Sequence, residues 1–180
     1  KIIEKIIKPT LRALRVQKHP YSGILYAGLM IKDNNPYLIE YNVRMGDPEC
    51  QVILPRLKTD LITIILSALH NNLSKLKIRR NPMKCMTIVL CAKGYPRSFK
   101  LAKPIKNLGG LKLKKNLSIF HAGTKKINSN IVSNGGRVLN ITGIGASFKK
   151  IRSNLIGLIK KINWKDGFYR KDIGWRVINK

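Results

Sequence analysis

Acidic residues are scarce in this 180-residue chain, which has 8 Asp and Glu against 36 Lys and Arg and a net charge of +28. Such a charge favours binding to phosphates, so a basic nucleic-acid-binding module is one interpretation. The lysines, however, occur in pairs along the whole chain and form no block-like tail. A general compositional bias toward Lys, Ile and Asn produces the same pattern, and we favour that explanation over nucleic-acid binding.

Cysteine and long apolar runs are also scarce. Cys50, Cys85 and Cys91 have neither metal-ligand spacing nor the even count of a disulfide framework. They fit a reducing compartment, so we expect a cytoplasmic protein. No apolar run approaches the roughly 18 residues of a membrane span, and no signal peptide opens the chain. The chain starts with Lys1 in a helical pattern, which predicts the C-terminal part of a longer protein.

Apolar spacing predicts the elements of the first half. A helix is expected over 2–16 and an antiparallel hairpin with strands 24–31 and 37–45, joined by the five-residue loop 32–36. Asp47 as cap and Pro48 at the first position predict a short helix over 48–57. A second helix starts at Thr59, and its broad apolar face predicts that it is mostly buried.

The second half reads as a separate mixed domain after the basic segment 74–83. Its predicted elements are strands at 85–92 and 117–123, a turn followed by a strand over 134–145, a helix over 147–162 capped by Ser147, and one or two short strands within 167–178. Trp164 and Trp175 lie near this basic end, and we expect them to pack rather than to stack on bases.

Three of the eight acids fall between residues 40 and 49. Because residues two apart share a face of a strand, Glu40, Asn42 and Arg44 are predicted to project to one side. The opposite face, Ile39, Tyr41 and Val43, is a plausible core face. Carboxylate and amide oxygens suit Mg²⁺, and a guanidinium can bridge phosphate oxygens. A solvent-exposed strand face with Glu40 paired to Arg44 explains the same pattern, and the spacing alone leaves both open.

A family resemblance covers the chain from about Tyr21 to near its end. "YSGILYAGLMI" followed by "IEYNVRMGDPECQVILPRLKTDL" closely resembles the end of the ATP-grasp domain of glycinamide ribonucleotide synthetases, the phosphoribosylamine–glycine ligases. "AKGYP", "IFHAGT", "NGGRVLNIT" and "YRKDIGWR" are similar to the C-terminal domain of that family. The resemblance implies an α+β chain: the end of an ATP-grasp domain over 1–75, a linker over 76–83, and a small mixed α/β C-terminal domain over 84–180.

The resemblance also implies an activity. ATP phosphorylates the carboxylate of glycine, and the amine of 5-phosphoribosylamine attacks the glycyl phosphate, a step of purine biosynthesis. Glu40 and Asn42 match the family's ligands for Mg²⁺ or Mn²⁺. Arg44, from its predicted shared face, is expected to contact phosphate and to be the catalytic residue of this segment. For Asp47 we favour a helix cap over a catalytic role.

Further expectations concern partners. The nucleotide-gripping half of the family is missing, so we expect no ligase activity from this chain alone and a need for the N-terminal part of the same enzyme. We expect a monomer, no specific nucleic acid and no membrane. A decayed remnant is a further alternative, which retention of the three polar residues disfavours. For His121, contact with substrate and a bond to its own turn both stay open. Arg137 is expected to pair with one of the scarce acids, and Asp172 is expected to form a structural salt bridge.

Overall fold

The computed structural model describes residues 1–178 and divides the chain into two units. Unit 1 comprises Lys1–Glu49 and Leu57–Arg80, and unit 2 comprises Cys50–Arg56 and the residues from Asn81 onward. The helical and strand elements, in chain order, are a π-helical turn Ile3–Ile7, α1 Lys8–Val16, β1 Tyr26–Lys32, β2 Asn35–Asn42, α2 Cys50–Ile53, a 3₁₀ turn Leu54–Arg56, α3 Leu61–Leu69, a 3₁₀ turn Leu73–Lys75, β3 Lys84–Ala92, β4 Leu117–His121, β5 Thr124–Ile127, β6 Asn130–Ser133, β7 Arg137–Gly145, α4 Phe148–Ile162, β8 Gly167–Phe168 and α5 Trp175–Ile178. Helices and antiparallel strands together confirm the predicted α+β class.

The hairpin of unit 1 is tighter than the sequence predicts. β1 and β2 pair in antiparallel fashion with Lys32 opposite Asn35, so Asp33 and Asn34 alone form the turn. Both have positive φ, 49° and 56°. Asp and Asn tolerate this left-handed conformation, and a turn of this kind matches the twist of the strands it joins. The predicted loop over 32–36 is therefore wrong, because the strands continue to the two turn residues.

The helices of unit 1 lie close to their predicted positions, but the predicted burial of α3 is not observed. Residues 3–16 are helical, with Pro9 in the first turn of α1. α3 begins at Leu61 rather than Thr59, because the carboxylate of Asp60 accepts a 2.8 Å hydrogen bond from the Thr63 N–H and caps the helix. The predicted burial of α3 is wrong: it contains no buried residue, and Ile62 and Leu69 are 60% and 64% exposed.

The segment after the acid cluster also differs from prediction. α2 begins at Cys50, so Asp47 and Pro48 lie in the preceding turn rather than at the cap and first positions of a helix. The peptide bond between Asp47 and Pro48 is cis. α2 itself belongs to unit 2, where it contacts β3 and β7. The expected helix therefore exists only as one short turn of α-helix followed by a 3₁₀ turn.

Unit 2 is built on a four-stranded antiparallel sheet in the order β4-β7-β3-β8. Strand β7 is central, and its residues 138–143 are buried on both faces. β3 alternates, which places one apolar face inward, as expected for a half-buried strand. The buried apolar core comprises Met86, Ile88, Leu90, Ala92, Ile105, Val138, Leu139, Ile141, Ile151, Leu155, Leu158, Ile159, Ile162 and Trp164.

Helix α4 packs against the sheet with an apolar stripe that recurs at helical spacing. Gly143 of β7 allows this close approach, because a Cβ there would lie 3.1 Å from Ile151 and Leu155 side-chain carbons. Ser147 precedes α4 as predicted, but its side chain makes no capping hydrogen bond. Only its backbone oxygen accepts, from the Ile151 N–H at 2.9 Å. The predicted position is right and the predicted side-chain cap is wrong.

A small hairpin and a terminal helical turn of unit 2 were not predicted. The hairpin is formed by β5 and β6, which lie between β4 and β7 in the chain. The chain end contains one short strand, β8, as expected, and then the helical turn α5. Trp164 is buried in the core, as predicted, whereas Trp175 is 53% exposed and lies beneath the Arg176 guanidinium at 5.3 Å. Within residues 1–178, no helix has the length and apolar character that crossing a bilayer requires.

Candidate functional site

Glu40 and Asn42 lie at the C-terminal end of β2, two positions apart on one face of the strand. Their side chains touch: the Asn42 amide donates a hydrogen bond of 3.1 Å from Nδ2 to Glu40 Oε1. Glu40 is exposed and Asn42 is half-buried. The structure therefore brings the predicted metal-ligand pair together, with oxygen donors on neighbouring side chains that solvent can reach.

Gly28 makes room for the Glu40 side chain. The two residues face each other across the hairpin, next to a register shift between Gly28 and Leu29. A Cβ at Gly28 would lie 3.0 Å from Glu40 Cγ and 3.8 Å from its Oε1. A glycine inside a strand often marks such a close approach, so the signal was present in the sequence. Its partner could not be named before the register was known.

Arg44 does not continue the alternation on which its predicted place depends. β2 ends at Asn42, and the Arg44 guanidinium donates from Nη1 to the Met45 backbone oxygen at 2.9 Å. Two of the three residues of the predicted core face are not buried, since Ile39 and Val43 are 64% and 71% exposed. Tyr41 alone is anchored, with its hydroxyl 2.6 Å from Thr10 Oγ1.

Glu49 and Tyr26 join the site without having been predicted as members. The Tyr26 hydroxyl is hydrogen-bonded to the Glu49 carboxylate, and Tyr26 faces Asn42 across the hairpin. Partial burial raises the pKa of the Tyr26 phenol, and the negative charges of Glu49 and then Glu40 raise it further. The Tyr26 phenol thus lies in the electric field of two of the three clustered carboxylates. The clustering of acids in the sequence pointed to this region but did not identify Tyr26 as a neighbour.

Gly46 explains why Glu49 can fold back over its own turn. It is buried, and a Cβ there would lie 2.2 Å from Glu49 Oε2 and 2.9 Å from its Cδ. Any larger residue would displace the carboxylate from this position. Gly46 therefore contributes to the site by leaving space for the Glu49 carboxylate. The sequence alone indicated only a turn here.

The donor set fits a hard divalent cation. Carboxylate and amide oxygens are ligands that Mg²⁺ and Mn²⁺ accept, and Mg²⁺ commonly takes only one or two protein carboxylates with substrate phosphates completing its shell. Among the described residues no group of three or more His, Cys, Asp and Glu could hold a metal by itself. Glu40 and Asn42 thus suit a cation shared with a substrate rather than a closed structural site.

Three motifs of unit 2 meet at one end of its sheet. The Ala92 N–H donates to Gly136 O at 2.8 Å, and the Gly123 N–H donates to Arg137 O at 2.9 Å. These bonds join "AKGYP", "FHAGT" and "NGGRV". His121 Nδ1 lies 2.9 Å from Thr124 Oγ1, so His121 does bond to its own turn. The observed contact accounts for His121 structurally.

The contacts of Asp172 and the burial of two cysteines indicate structural roles for these residues. Arg170 binds Asp172 through two nitrogen–oxygen contacts, the shorter 2.7 Å, which confirms the predicted salt bridge. This hydrogen bonding lowers the pKa of Asp172. Burial raises the pKa of the Cys85 and Cys91 thiols, which disfavours the reactive thiolate and agrees with a packing role.

Comparison with known proteins relates the chain to one protein family. The family model described as "Phosphoribosylglycinamide synthetase, C domain" matches residues 85–176, and the one described as "Phosphoribosylglycinamide synthetase, ATP-grasp (A) domain" matches residues 1–50. A phosphoribosylamine–glycine ligase from Brucella melitensis is 40% identical over 178 residues, or 99% of this chain and 42% of that protein. The chloroplastic phosphoribosylamine–glycine ligase of Arabidopsis thaliana is 39% identical over 98% of this chain and 34% of its own length.

A solved structure agrees. The crystal structure of phosphoribosylamine–glycine ligase from Thermotoga maritima matches with a TM-score of 0.78 and 32% sequence identity, over 94% of this chain and 41% of that one. The chain therefore spans less than half the length of the relatives it matches: 42% of the Brucella protein and 41% of the Thermotoga one.

Proposed function

The chain belongs to the phosphoribosylglycinamide synthetase family, and from this premise we propose that it forms the metal-binding end of an ATP-dependent carbon–nitrogen ligase. The reaction joins glycine to 5-phosphoribosylamine through glycyl phosphate, with ATP as co-substrate. The observation that carries the proposal is the contact between Glu40 and Asn42, 3.1 Å apart on one strand. It supports the proposal because it brings together two side chains that carry hard oxygen donors, the kind of ligand that Mg²⁺ accepts.

In this proposal Glu40 and Asn42 would hold Mg²⁺ or Mn²⁺ through their side-chain oxygens. When bound, such a cation would supply charge neutralisation for phosphoryl transfer. The chain's own residues prepare this position. Gly28 leaves space for the Glu40 side chain, and the hydrogen bond from Asn42 holds the Glu40 carboxylate in place.

Arg44 serves as the phosphate-contacting residue. It lies two residues beyond Asn42 and is exposed, and its guanidinium donates from Nη1 to the Met45 carbonyl at 2.9 Å. A guanidinium retains further donors after one such bond, so it can also bind phosphate oxygens. No protein nucleophile is required, since positioning and charge neutralisation carry the reaction.

The ligase requires residues that this chain does not supply. Large apolar side chains are exposed on the hairpin of unit 1, including Met30, Tyr37 and Ile39 at 57%, 56% and 64%. Together with the exposed face of α3, they suit burial against further protein. We therefore propose that an N-terminal part of the same monomeric cytoplasmic enzyme completes the ATP-grasp domain, ending near residue 75, and that residues 84–180 form the C-terminal domain after a linker over 76–83.

Metal binding can be tested on the chain without turnover. Mn²⁺ added to isotope-labelled chain should broaden the amide resonances of residues near Glu40 and Asn42 first, because paramagnetic relaxation falls steeply with distance. Glu40→Gln should remove this localised broadening. Glu4→Gln is the matched control, since Glu4 is an exposed carboxylate that pairs with Lys8 at 2.7 Å instead.

Two results decide the proposal. Broadening that is unchanged by Glu40→Gln, or that is equally strong around Glu4, would contradict the assigned metal site. In the longer enzyme, Glu40→Gln should lower formation of glycinamide ribonucleotide by several orders of magnitude, while the 180-residue chain alone should form none. Product from the chain alone would refute the need for an N-terminal part.

A further inference from the structure

Two cross-strand pairs of the β1–β2 hairpin surround the proposed metal ligands. Gly28 lies opposite Glu40, and Tyr26 lies opposite Asn42. Residues directly opposite one another on antiparallel strands share a face, with Cβ atoms roughly 4.5–5.5 Å apart. The carboxylate therefore has open space across the hairpin, whereas the amide has an aromatic ring. Asn42 is thus flanked by Glu40 along its own strand and by the Tyr26 ring across the hairpin.

The Tyr26 ring is fixed by a residue that lies beyond both strands. Its hydroxyl donates a hydrogen bond to the carboxylate of Glu49, which belongs to the turn after β2. A hydrogen bond to a charged acceptor is roughly twice as strong as one between neutral groups. Tyr26 and Glu49 are also both half-buried, which limits the other orientations open to them. The ring is therefore held in one orientation beside Asn42.

Gly46 fixes the place of Glu49 in turn. It is buried, and a Cβ there would lie 2.2 Å from Glu49 Oε2 and 3.2 Å from Glu49 Cβ. Gly46 does not have a positive φ, so the backbone of the turn does not itself require glycine. The missing side chain is needed only because the Glu49 carboxylate occupies that space. The turn is thus shaped around the position of this carboxylate.

A simple clip that closes the turn after β2 is the competing explanation for the bond between Tyr26 and Glu49. A neutral acceptor would serve such a clip equally well. Glu49 instead places a second negative charge near the phenol that Glu40 already influences, and like charges held together are unfavourable. The chain has only 8 acids to place. A carboxylate beside the proposed cation ligands is therefore better explained by a role at that site.

We propose that Tyr26 and Glu49 are positioning residues for the metal pair: Glu49 orients the Tyr26 ring, and the ring keeps the Asn42 amide turned toward Glu40. The inference rests on the proposed function, in which Glu40 and Asn42 hold the cation. Neither positioning residue has to touch the cation or the reacting atoms. Partners of this outer kind typically contribute about 10–100-fold to metal affinity.

The side-chain amide resonances of Asn42 test the proposal in the metal-free chain, because they report its hydrogen bond to Glu40. Tyr26→Phe keeps the ring but removes the bond to Glu49. It should move the Asn42 side-chain resonances toward those of a freely rotating asparagine, while the backbone amides of β1 and β2 hardly shift. Tyr37→Phe is the matched control, since it removes a hydroxyl from an exposed position of the same hairpin. It should leave the Asn42 side-chain resonances unchanged.

Two further variants separate the charge of Glu49 from its position. Glu49→Gln keeps an oxygen that can accept the Tyr26 hydroxyl, so the Asn42 side-chain resonances should stay close to those of the unmodified chain. Gly46→Ala keeps the charge but displaces the carboxylate, so it should shift these resonances as Tyr26→Phe does. The double variant of Gly46→Ala and Tyr26→Phe should add little to either change alone, because both break the same series of contacts.

Mn²⁺ affinity at Glu40 is the second readout, measured by resonance broadening. Tyr26→Phe should weaken this binding about tenfold or more, and Tyr37→Phe should change it less than twofold. Unchanged Asn42 side-chain resonances in Tyr26→Phe, or equal losses of Mn²⁺ affinity in the two variants, would overturn the proposal.

The two proposals of this article's site can fail separately. If the unmodified chain shows no localised Mn²⁺ binding at Glu40, the proposed function fails, whereas the Asn42 side-chain resonances still decide whether Tyr26 holds the amide in place. If circular dichroism shows that Tyr26→Phe does not fold, Glu49→Ala takes its place. That variant removes the acceptor and leaves the ring, and it is judged by the same two outcomes.

Discussion

Replacing Gly28 with alanine tests whether the glycine opposite Glu40 exists to seat the metal-binding carboxylate. The added Cβ would lie 3.0 Å from Glu40 Cγ, roughly 0.5–1 Å inside the optimal carbon–carbon separation. Glu40 is exposed and its side chain can rotate away. The backbone of Gly28 does not have the positive φ that alanine would resist. The clash should therefore be relieved by moving the carboxylate rather than the hairpin.

The expected energies separate function from stability. Moving Glu40 off its preferred rotamer costs about 0.5–1.5 kcal/mol, and the smaller freedom of the unfolded Gly28→Ala chain returns about 0.4–1 kcal/mol. The free energy of unfolding should thus change by less than about 1 kcal/mol. Misplacing a metal ligand or its support typically costs 10–100-fold in affinity, so Mn²⁺ binding should fall by about that factor.

Mn²⁺ titration followed by resonance broadening measures the affinity, and thermal unfolding measures stability. Gly157→Ala is the matched control, because a Cβ at Gly157 meets nothing within 4 Å and the residue lies in α4. That control should leave Mn²⁺ binding unchanged and raise stability slightly. Undiminished Mn²⁺ affinity in Gly28→Ala would refute the reasoning that this glycine seats Glu40.

Further predictions concern the core, the phenol and the surface charge. Leu155→Ala in the fully buried face of α4 should lower the free energy of unfolding by about 2–5 kcal/mol, whereas Ile62→Ala, 60% exposed on α3, should change it by less than about 0.5 kcal/mol; denaturant unfolding checks both. Tyr26 should titrate above its ordinary pKa of 10.0, and Glu49→Gln should lower that pKa, as followed by NMR of carbon-labelled tyrosine. Since the folded-state pKa is raised, this phenol's contribution to stability is complete below pH 10.0 and is lost as the pH rises through the folded-state value, a loss that Tyr26→Phe should remove. Nucleic-acid binding should be weak, independent of sequence, and reduced steeply by salt; retention at high salt would contradict a purely electrostatic origin.

Prediction from sequence was most successful where a local period decides the answer. Alternation on a strand predicted that Glu40 and Asn42 share one face, and in the structure the Asn42 amide donates to the Glu40 carboxylate. The same rule failed for Arg44, because it assumes that the strand continues and β2 ends at Asn42. Helical spacing located α3, yet its predicted burial was wrong, since burial depends on the surface that a helix finds and not on its own pattern.

Residues whose importance depends on a distant neighbour were out of reach. Gly28 and Gly46 carry no chemistry, and their roles appear only when Glu40 and Glu49 occupy the space beside them. Tyr26 looked like a strand aromatic until the fold brought its hydroxyl to Glu49.

The sequence by itself determined the α+β class, the helix and strand positions set by hydrophobic period, the family, and the shared face of Glu40 and Asn42. These depend on order along the chain, which is visible without folding. The tertiary structure decided the register of the hairpin, the central place of β7, and the neighbours of Tyr26 and Gly46. These depend on which distant segments pack together, and that choice is made by the free energy of the whole fold rather than by any local pattern.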